Sequence, residues 1–458
     1  MAVTGFWIRQ VQWPLMEVVK ENRTRPYMQE LKLAQHLSKD MLEWRQREKL
    51  VKLLDHAVHN VAAYEPYRST WREYREAPER FVQKLPILDK TLFRRNAEQY
   101  LSKNIRPDKL IANRTGGSTG EPTRFYLDRP TVERYEAARW LGLSWHGIRI
   151  GDPCVMLWGS PLELNQQQAR TYRFKERWLK NRLLLSAYEL DERRLDTQLK
   201  LIRRFRPAYL YGYASALYTL SQMMLARGVT LGIPLKAVVS TAESLHEHQR
   251  RALEAAFAAP VVNEYGARDG GIIAYQCQAG NMHAFSENSY LEVVDPLTRI
   301  PVFPGVPGAL LVTDLHNTSM PRLRYQLGDV VALSGKSCPC PVSFPLLETI
   351  DGREDDMFIS QNGQYVHGHY FNHIVRNLDS FRTFQIVQHE PQRLSLRLVK
   401  EPERFLPADE ARLLAGIRSA LGEVSVQVSY VEHIPPSSSG KVRYAIRECP
   451  LTSALPPE

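Results

Sequence analysis

Across 458 residues the chain has no apolar run of about 18, the length that a membrane-spanning helix needs, so no span is expected. The opening stretch, Met1 to Lys20, holds a short apolar patch broken by Arg9, Gln10 and Gln12, and so lacks the continuous apolar core of a secretory signal. Cysteine is scarce, at 5 residues, which excludes a disulfide framework and makes a reducing, cytoplasmic setting the simplest expectation. Internal repeats and long low-complexity tracts are absent. What remains is ordinary globular composition, 43% hydrophobic and 24% charged, in a chain long enough for about two or three domains. The net charge of +10 favours anionic ligands such as nucleotides without identifying nucleic acid, and no nucleic-acid partner is expected.

One stretch concentrates glycine and hydroxyl side chains: Thr115-Gly116-Gly117-Ser118-Thr119-Gly120-Glu121-Pro122-Thr123. Successive N–H groups of such a turn form an anion-binding concavity, and glycine lets the backbone approach a ligand closely. Gripping a polyphosphate is one reading; a plain flexible surface loop is the other. A Walker A loop is set aside, because Glu121-Pro122 stands where Lys-Ser/Thr is required. Gly116 to Gly120 also matches the G-x-S-x-G nucleophile elbow, but the elbow must precede a helix, and Thr123 to Leu127 reads as a strand.

Two N-terminal helices are expected between Tyr27 and Tyr67, with Leu31, Leu33, Leu37, Met41 and Trp44 on one inward face and Leu50, Leu53, Leu54 and Ala57 on the other. The next helix is expected from Thr131, as its cap, to Gly147. Short strands at Val155–Gly159, Ala208–Gly212, Ala237–Ser240 and Val261–Asn263 alternate with helical patterns at about 164–183, 191–205, 215–227 and 246–257. That alternation implies βαβ units and a mostly parallel sheet, whose ligands collect at the carboxyl ends of the strands. From Tyr290 the pattern turns β-rich, and Ile350 to Arg353 reads as a boundary. The fold class is thus α/β: a large domain over 1–350, with a helical part at 1–90 and a β-rich subdomain at 290–350, followed by a small mobile α+β domain over 351–458.

Four further motifs follow in order: Glu264-Tyr265-Gly266-Ala267-Arg268-Asp269, Tyr325-Gln326-Leu327-Gly328-Asp329, Gly352-Arg353-Glu354-Asp355-Asp356, and Pro436-Ser437-Ser438-Ser439-Gly440-Lys441. With the glycine-rich stretch, their order resembles the adenylate-forming acyl ligases, and within these the phenylacetate–CoA ligase and CapK-like branch, over residues 50 to 447. The resemblance implies a two-step enzyme. A carboxylate, expected to be aryl or apolar, attacks the α-phosphate of ATP, and a thiol, usually that of CoA, then displaces AMP. A carrier-protein thiol or an amine is the alternative acceptor, a scaffold that binds nucleotide without turnover is the alternative function, and a homodimer is compatible with either.

The family's residues carry over one by one. Thr115 to Gly120 and Thr123 would hold the phosphates, although relatives often have Lys where Glu121 stands. Asp269 takes the place of the family's acidic Mg²⁺ ligand, typically a glutamate. Thr241-Ala242-Glu243, with Ala242 where the family has glycine, matches the stretch near adenine, as do Glu264, Tyr265 and Gly266. Asp329 matches the ribose-binding aspartate and Arg353 the arginine near ribose or phosphate. Asp355 falls at the hinge, and Lys441 matches the lysine that bridges carboxylate and α-phosphate. An acyl pocket is expected near Trp158, Tyr211, Gly212 and Tyr213. Separately, Cys277, His283, Cys338 and Cys340 form a Cys₃His set that could hold structural Zn²⁺ or be unrelated thiols.

Overall fold

The computed structural model describes residues 2–115, 123–158, 170–187, 190, 193–353, 357–361, 365–375, 378, 380–435 and 444–449. The chain opens with a continuous helical run: α1 (Ala2–Trp7), a wider turn at Ile8–Gln12, and α2 (Trp13–Val19). Next come α3 (Thr24–Ala34), α4 (Lys39–Asn60), α5 (Trp71–Glu76), α6 (Pro78–Lys84) and α7 (Lys90–Arg95). The two expected helices are present as α3 and α4, but the first expected apolar face is not one face. Leu31 and Leu42 turn inward while Leu33, Met41 and Trp44 are exposed, because the chain breaks between the helices and the spacing does not continue across the break. The second face holds: Leu50, Leu53, Leu54 and Ala57 are buried.

Strands β1 (Ile111–Arg114) and β2 (Arg124–Leu127) form an antiparallel hairpin, and α8 (Arg129–Trp145) follows. Asp128 caps α8, its carboxylate accepting from the Thr131 N–H at 2.9 Å and the Thr131 hydroxyl at 2.6 Å; the expected cap, Thr131, is instead a donor within the first turn. An 11-stranded sheet then dominates, in the order β10-β11-β12-β13-β9-β8-β7-β6-β5-β3-β4. Its parallel half is β3 (Cys154–Trp158), β4 (Arg182–Ser186), β5 (Tyr209–Tyr213), β6 (Ala237–Thr241) and β7 (Val261–Ala267). The crossovers are α9 (Arg170–Leu179), α10 (Leu195–Phe205), α11 (Ala214–Ala226) and α12 (Glu247–Phe257). The helix expected over 164–183 therefore ends early: Arg182-Leu183-Leu184-Leu185-Ser186 pairs with β3 as the edge strand, a contact that helical periodicity cannot report.

β7 runs on past the expected Asn263 and folds back as β8 (Gly271–Gln276), so the Tyr265 motif makes a hairpin rather than a loop. The antiparallel half is β9 (Met282–Ala284), β10 (Ser289–Val294), β11 (Gly308–Asp314), β12 (Tyr325–Leu333) and β13 (Leu346–Arg353). These strands continue the same sheet.

Beyond it, β14 (Met357–Ile359) and β15 (Tyr365–His367) pair as a two-stranded sheet, and β16 (Phe381–Glu390), β17 (Arg393–Lys400), β18 (Ser425–Tyr430) and β19 (Ala445–Arg447) build a four-stranded sheet, with helices α13 (His369–Val375) and α14 (Pro407–Leu421). One apolar cluster there draws only on residues between Phe358 and Ala445.

Candidate active site

The hairpin β1–β2 holds the two ends of the glycine-rich stretch together. The Thr115 N–H donates to the Thr123 carbonyl at 3.0 Å, and the Thr123 N–H donates to Thr115 Oγ1 at 2.9 Å. Gly116, Gly117, Ser118, Thr119 and Gly120 lie outside the described residues. A strand follows the stretch, so the strand–turn–helix frame of a nucleophile elbow is not met.

Below the hairpin, Phe125 is buried against the Arg322 guanidinium, whose carbon lies 4.9 Å from the ring centroid. Arg322 Nη2 donates to the Asp269 carbonyl at 2.7 Å, and the Tyr325 hydroxyl donates to Asp269 Oδ2 at 2.8 Å. Both Arg322 and Tyr325 are fully buried. Arg322 thus ties the base of the phosphate-loop candidate to the metal-ligand candidate, and its Nη1 has no partner among the described residues. Sequence reasoning missed this arginine. Its only signal is its place just ahead of the Tyr325-to-Asp329 motif, and nothing local marks a cation for burial.

Across the strand ends, Glu264 on β7 gathers three groups. The Tyr211 hydroxyl donates to Glu264 Oε1 at 2.6 Å, the Thr241 hydroxyl does so at 3.1 Å, and Arg139 Nε of α8 reaches Oε2 at 3.3 Å. Arg139 Nη1 also donates to Glu136 at 2.6 Å. Burial works against the Arg139 charge, but the surrounding groups, Glu264 and Glu136 among them, hold its pKa well above the usual range. Burial likewise pushes the Tyr211 phenol well up, so it stays a neutral donor.

On the other side the Tyr265 hydroxyl donates to Asp329 Oδ2 at 2.8 Å, and Asp329 stands opposite Arg353 in the β12–β13 register. The structure therefore brings the Tyr265 and Asp329 side chains together and sets the backbone of Arg353 opposite Asp329. Gly266 approaches Gly271 so closely that a Cβ would lie 2.5 Å from its carbonyl. Ala242 has φ of 66°, the left-handed conformation that the family's glycine adopts without penalty. Glu243 Oε2 accepts from the Ser215 N–H at 2.8 Å, which caps α11, while Oε1 is buried without a partner among the described residues. That carboxylate serves the helix start, so the Thr241-to-Glu243 turn is fixed from behind.

Asp355 and Lys441 lie outside the described residues, but Tyr444 does not. Its ring, in the C-terminal part, sits 6.2 Å from that of His246, the residue that caps α12 just after the Thr241-to-Glu243 turn. Burial raises the Tyr444 phenol to about 12, with Glu243 and Tyr218 close enough to add to the effect.

At the expected acyl pocket, the Trp158 ring packs 4.4 Å from Tyr213 and 6.1 Å from Tyr211. Gly212 is needed for strand approach, since a Cβ there would meet the Leu157 carbonyl at 2.7 Å.

The cysteine cluster assembles from the turn between β8 and β9, from β9, and from the segment between β12 and β13. The ligand atoms of Cys277, His283, Cys338 and Cys340 all lie within 4.8 Å of one another. Cys277 and Cys338 sulfurs are 3.7 Å apart, and two sulfurs on one tetrahedral zinc, at about 2.3 Å each, stand about 3.8 Å apart. His283 Nδ1 is 2.8 Å from the Phe344 carbonyl, which can only accept, so the proton sits on Nδ1. The Nε2 lone pair then faces Cys340 Sγ at 3.2 Å, and burial lowers the ring's pKa and keeps it neutral. Burial raises the Cys338 thiol, but N–H groups of Cys340 and Asn281 outweigh it and bring it below its usual value. These four residues fit a structural zinc ion.

Comparison with known proteins follows the same lines. Residues 358–448 match the CapK C-terminal domain family. The protein CapK of Staphylococcus aureus is 25% identical over 375 residues, covering 80% of each chain. A phenylacetate–coenzyme A ligase of Thermus thermophilus is 31% identical over 169 residues, 36% of this chain and 38% of that one. Among solved structures, 2-hydroxyisobutyryl-CoA ligase in its postadenylation state with R3-HIB-AMP superposes with a TM-score of 0.70 at 20% identity, covering 91% of both chains. The same enzyme with 2-HIB-AMP and CoA in its thioesterification state, 18% identical over 91% of this chain and 92% of that one, superposes with a TM-score of only 0.57. With the fold, the motif order and these likenesses together, the chain is similar to the phenylacetate–CoA ligases and CapK, and its fold is that of an adenylate-forming ligase.

Proposed function

We propose that this protein activates a carboxylic acid with ATP, releasing pyrophosphate, and passes the acyl group to a thiol, that of CoA in the first instance. The acid's carboxylate oxygen attacks the α-phosphorus and the bond to pyrophosphate breaks. The thiolate then attacks the acyl carbon and AMP leaves. The observation that carries this reading is the seat of Tyr444: a residue just beyond Lys441 in sequence lies against His246, beside the Thr241-to-Glu243 turn. A lysine delivered there can neutralise charge developing between carboxylate and α-phosphate. The better superposition on the postadenylation state than on the thioesterification state supports the same placement.

The remaining roles follow from geometry and chemistry. The Thr115-to-Thr123 loop grips the β- and γ-phosphates. Asp269, a hard-oxygen ligand oriented by Tyr325, would hold Mg²⁺, which supplies charge neutralisation at the phosphates. Tyr265 and Asp329, already bonded to each other, serve adenine and ribose, and Arg353 joins them from the next strand. The aryl or apolar body of the acid rests on Trp158 and Tyr211; with its hydroxyl committed to Glu264, Tyr211 offers its ring. The Cys₃His set would hold zinc as a clamp between β8–β9 and the segment before β13. Residues 351–458 act as the lid, pivoting at Asp355.

Acid-dependent pyrophosphate–ATP exchange over a mixed panel of acids is the test. Exchange with at least one acid is expected, reduced about 10²–10³-fold in Lys441→Ala. ATP binding without exchange for any acid would leave only the inert scaffold.

A further inference from the structure

We propose that the N-terminal helical run and α9 together form a surface that lies on an anionic lipid bilayer. In the run Ala2–Val19, the residues Trp7, Val11, Leu15 and Val18 recur at four, four and three positions, the spacing of one helix face. That face looks outward: Trp7 is 56% exposed, Leu15 60% and Val18 76%. The opposite side is the packed one, with Ile8 and Glu17 buried and Trp13 edge-on to Trp140 at 6.2 Å. A helix that buries one apolar side and leaves a second apolar side in water has no partner on the second among the described residues.

α9 repeats the pattern. Phe174 and Trp178, one turn apart, are 60% and 59% exposed with ring centroids 6.2 Å apart. Lys175, Arg177 and Lys180 are exposed beside them. Glu176 points inward and is buried, where it meets Lys180 at 2.6 Å and Arg182 at 3.8 Å. The outward side of α9 over Phe174 to Lys180 is therefore aromatic and basic with no outward acid. The two elements are joined: Gln12 Nε2 donates to the Leu179 carbonyl at 3.1 Å, next in sequence to Trp178. Arg9 Nε anchors the run to the body through the Ile150 carbonyl at 3.0 Å.

Large contiguous apolar patches are rare on monomeric proteins, and aromatic side chains interleaved with Lys and Arg are the composition of interfacial helices. No helix among the described residues is long and apolar enough to cross a membrane, so the surface rests on the bilayer instead of spanning it. Charge selects lipid over a second copy of the chain. Twofold pairing through this face would bring Lys175 and Arg177 toward their own counterparts, whereas anionic headgroups complement them and the net charge of +10.

The test uses the full-length protein in vesicle flotation, with phosphatidylcholine alone and with added phosphatidylglycerol. The protein should float with the phosphatidylglycerol vesicles, with a blue shift of tryptophan emission, and recovery should fall as salt rises. Leu15→Glu combined with Val18→Glu should lower recovery about tenfold or more, and Lys175→Glu with Arg177→Glu should remove the preference for anionic lipid. All four positions are exposed and outside the nucleotide site, so pyrophosphate exchange should stay as in the parent, and thermal unfolding should shift only through the lost 4.0 Å stacking of Arg177 on Phe205. Failure to float with either vesicle overturns the proposal. So does a parent dimer in light scattering that Leu15→Glu converts to monomer, because the second copy would then be the occupant.

Discussion

Replacing Tyr325 by Phe removes one hydroxyl and little else. The ring keeps its packing, 5.8 Å from Phe93 and 5.4 Å from the Arg322 guanidinium. What is lost is the 2.8 Å donation to Asp269 Oδ2. A hydrogen bond to a charged acceptor contributes about 1.5–3 kcal/mol, and the buried carboxylate has little water to take its place. Stability in urea should fall by that amount. The backbone at Asp269 should stay put, because Arg322 Nη2 still holds its carbonyl at 2.7 Å. The loss is then one of carboxylate orientation, and the Mg²⁺ concentration for half-maximal pyrophosphate exchange should rise roughly 10- to 100-fold, at about 1.4 kcal/mol per decade. Saturating Mg²⁺ should recover much of the rate. Stability within about 0.5 kcal/mol of the parent, together with an unchanged Mg²⁺ dependence, would refute the reasoning that Tyr325 positions this ligand.

Other consequences are open to measurement. Ala242 sits at φ of 66°, so Ala242→Gly should relieve left-handed strain and stabilise the fold by about 0.5–1 kcal/mol in thermal denaturation; a loss of stability would contradict the strain. Protein purified without chelator should carry close to one equivalent of zinc by elemental analysis, and Cys338→Ser should abolish most of it; a metal-free parent protein would sink the cluster's role. The Glu287 carboxylate pairs with Arg45 at 2.8 Å and Lys49 at 2.7 Å, tying α4 to the connection between β9 and β10. Burial raises its pKa, but the two cations outweigh burial and leave it lowered. A carboxylate depressed in the folded state stabilises above its unfolded value of about 4.3, and that stability drains away as pH falls through the lower folded value. Burial also lowers the Lys49 ammonium, which opposes part of the gain. Glu287→Gln should therefore cost about 3 kcal/mol at neutral pH and flatten the acid limb of the stability curve; an unaltered limb would show the pair to be inert.

Legibility followed the range of the forces involved. The βαβ alternation was readable because each strand and helix carries its own apolar period, and β3, β5 and β6 lie within a residue of their expected positions. Arg182–Ser186 was not, because a short apolar run after a helix looks like more helix until a neighbouring strand offers hydrogen bonds. Leu33, Met41 and Trp44 had the right spacing and the wrong surroundings. Asp128 and Thr131 exchanged roles because both residue types can cap a helix, and only the backbone geometry chooses between them.

Linear order alone carried the family resemblance, since the glycine-rich stretch, the Tyr265 motif, the Asp329 motif and Lys441 are local words read in succession. It also carried the donor types of the Cys₃His set. Whether those four donors meet, whether Tyr265 reaches Asp329, and whether a buried Arg322 steadies Asp269 depended on segments far apart in the chain coming into contact. The outward apolar face of the first helices belongs to the same class. A hydrophobic period announces a face, but burial or exposure of that face is set by what else packs there, and no property of the segment itself contains that information.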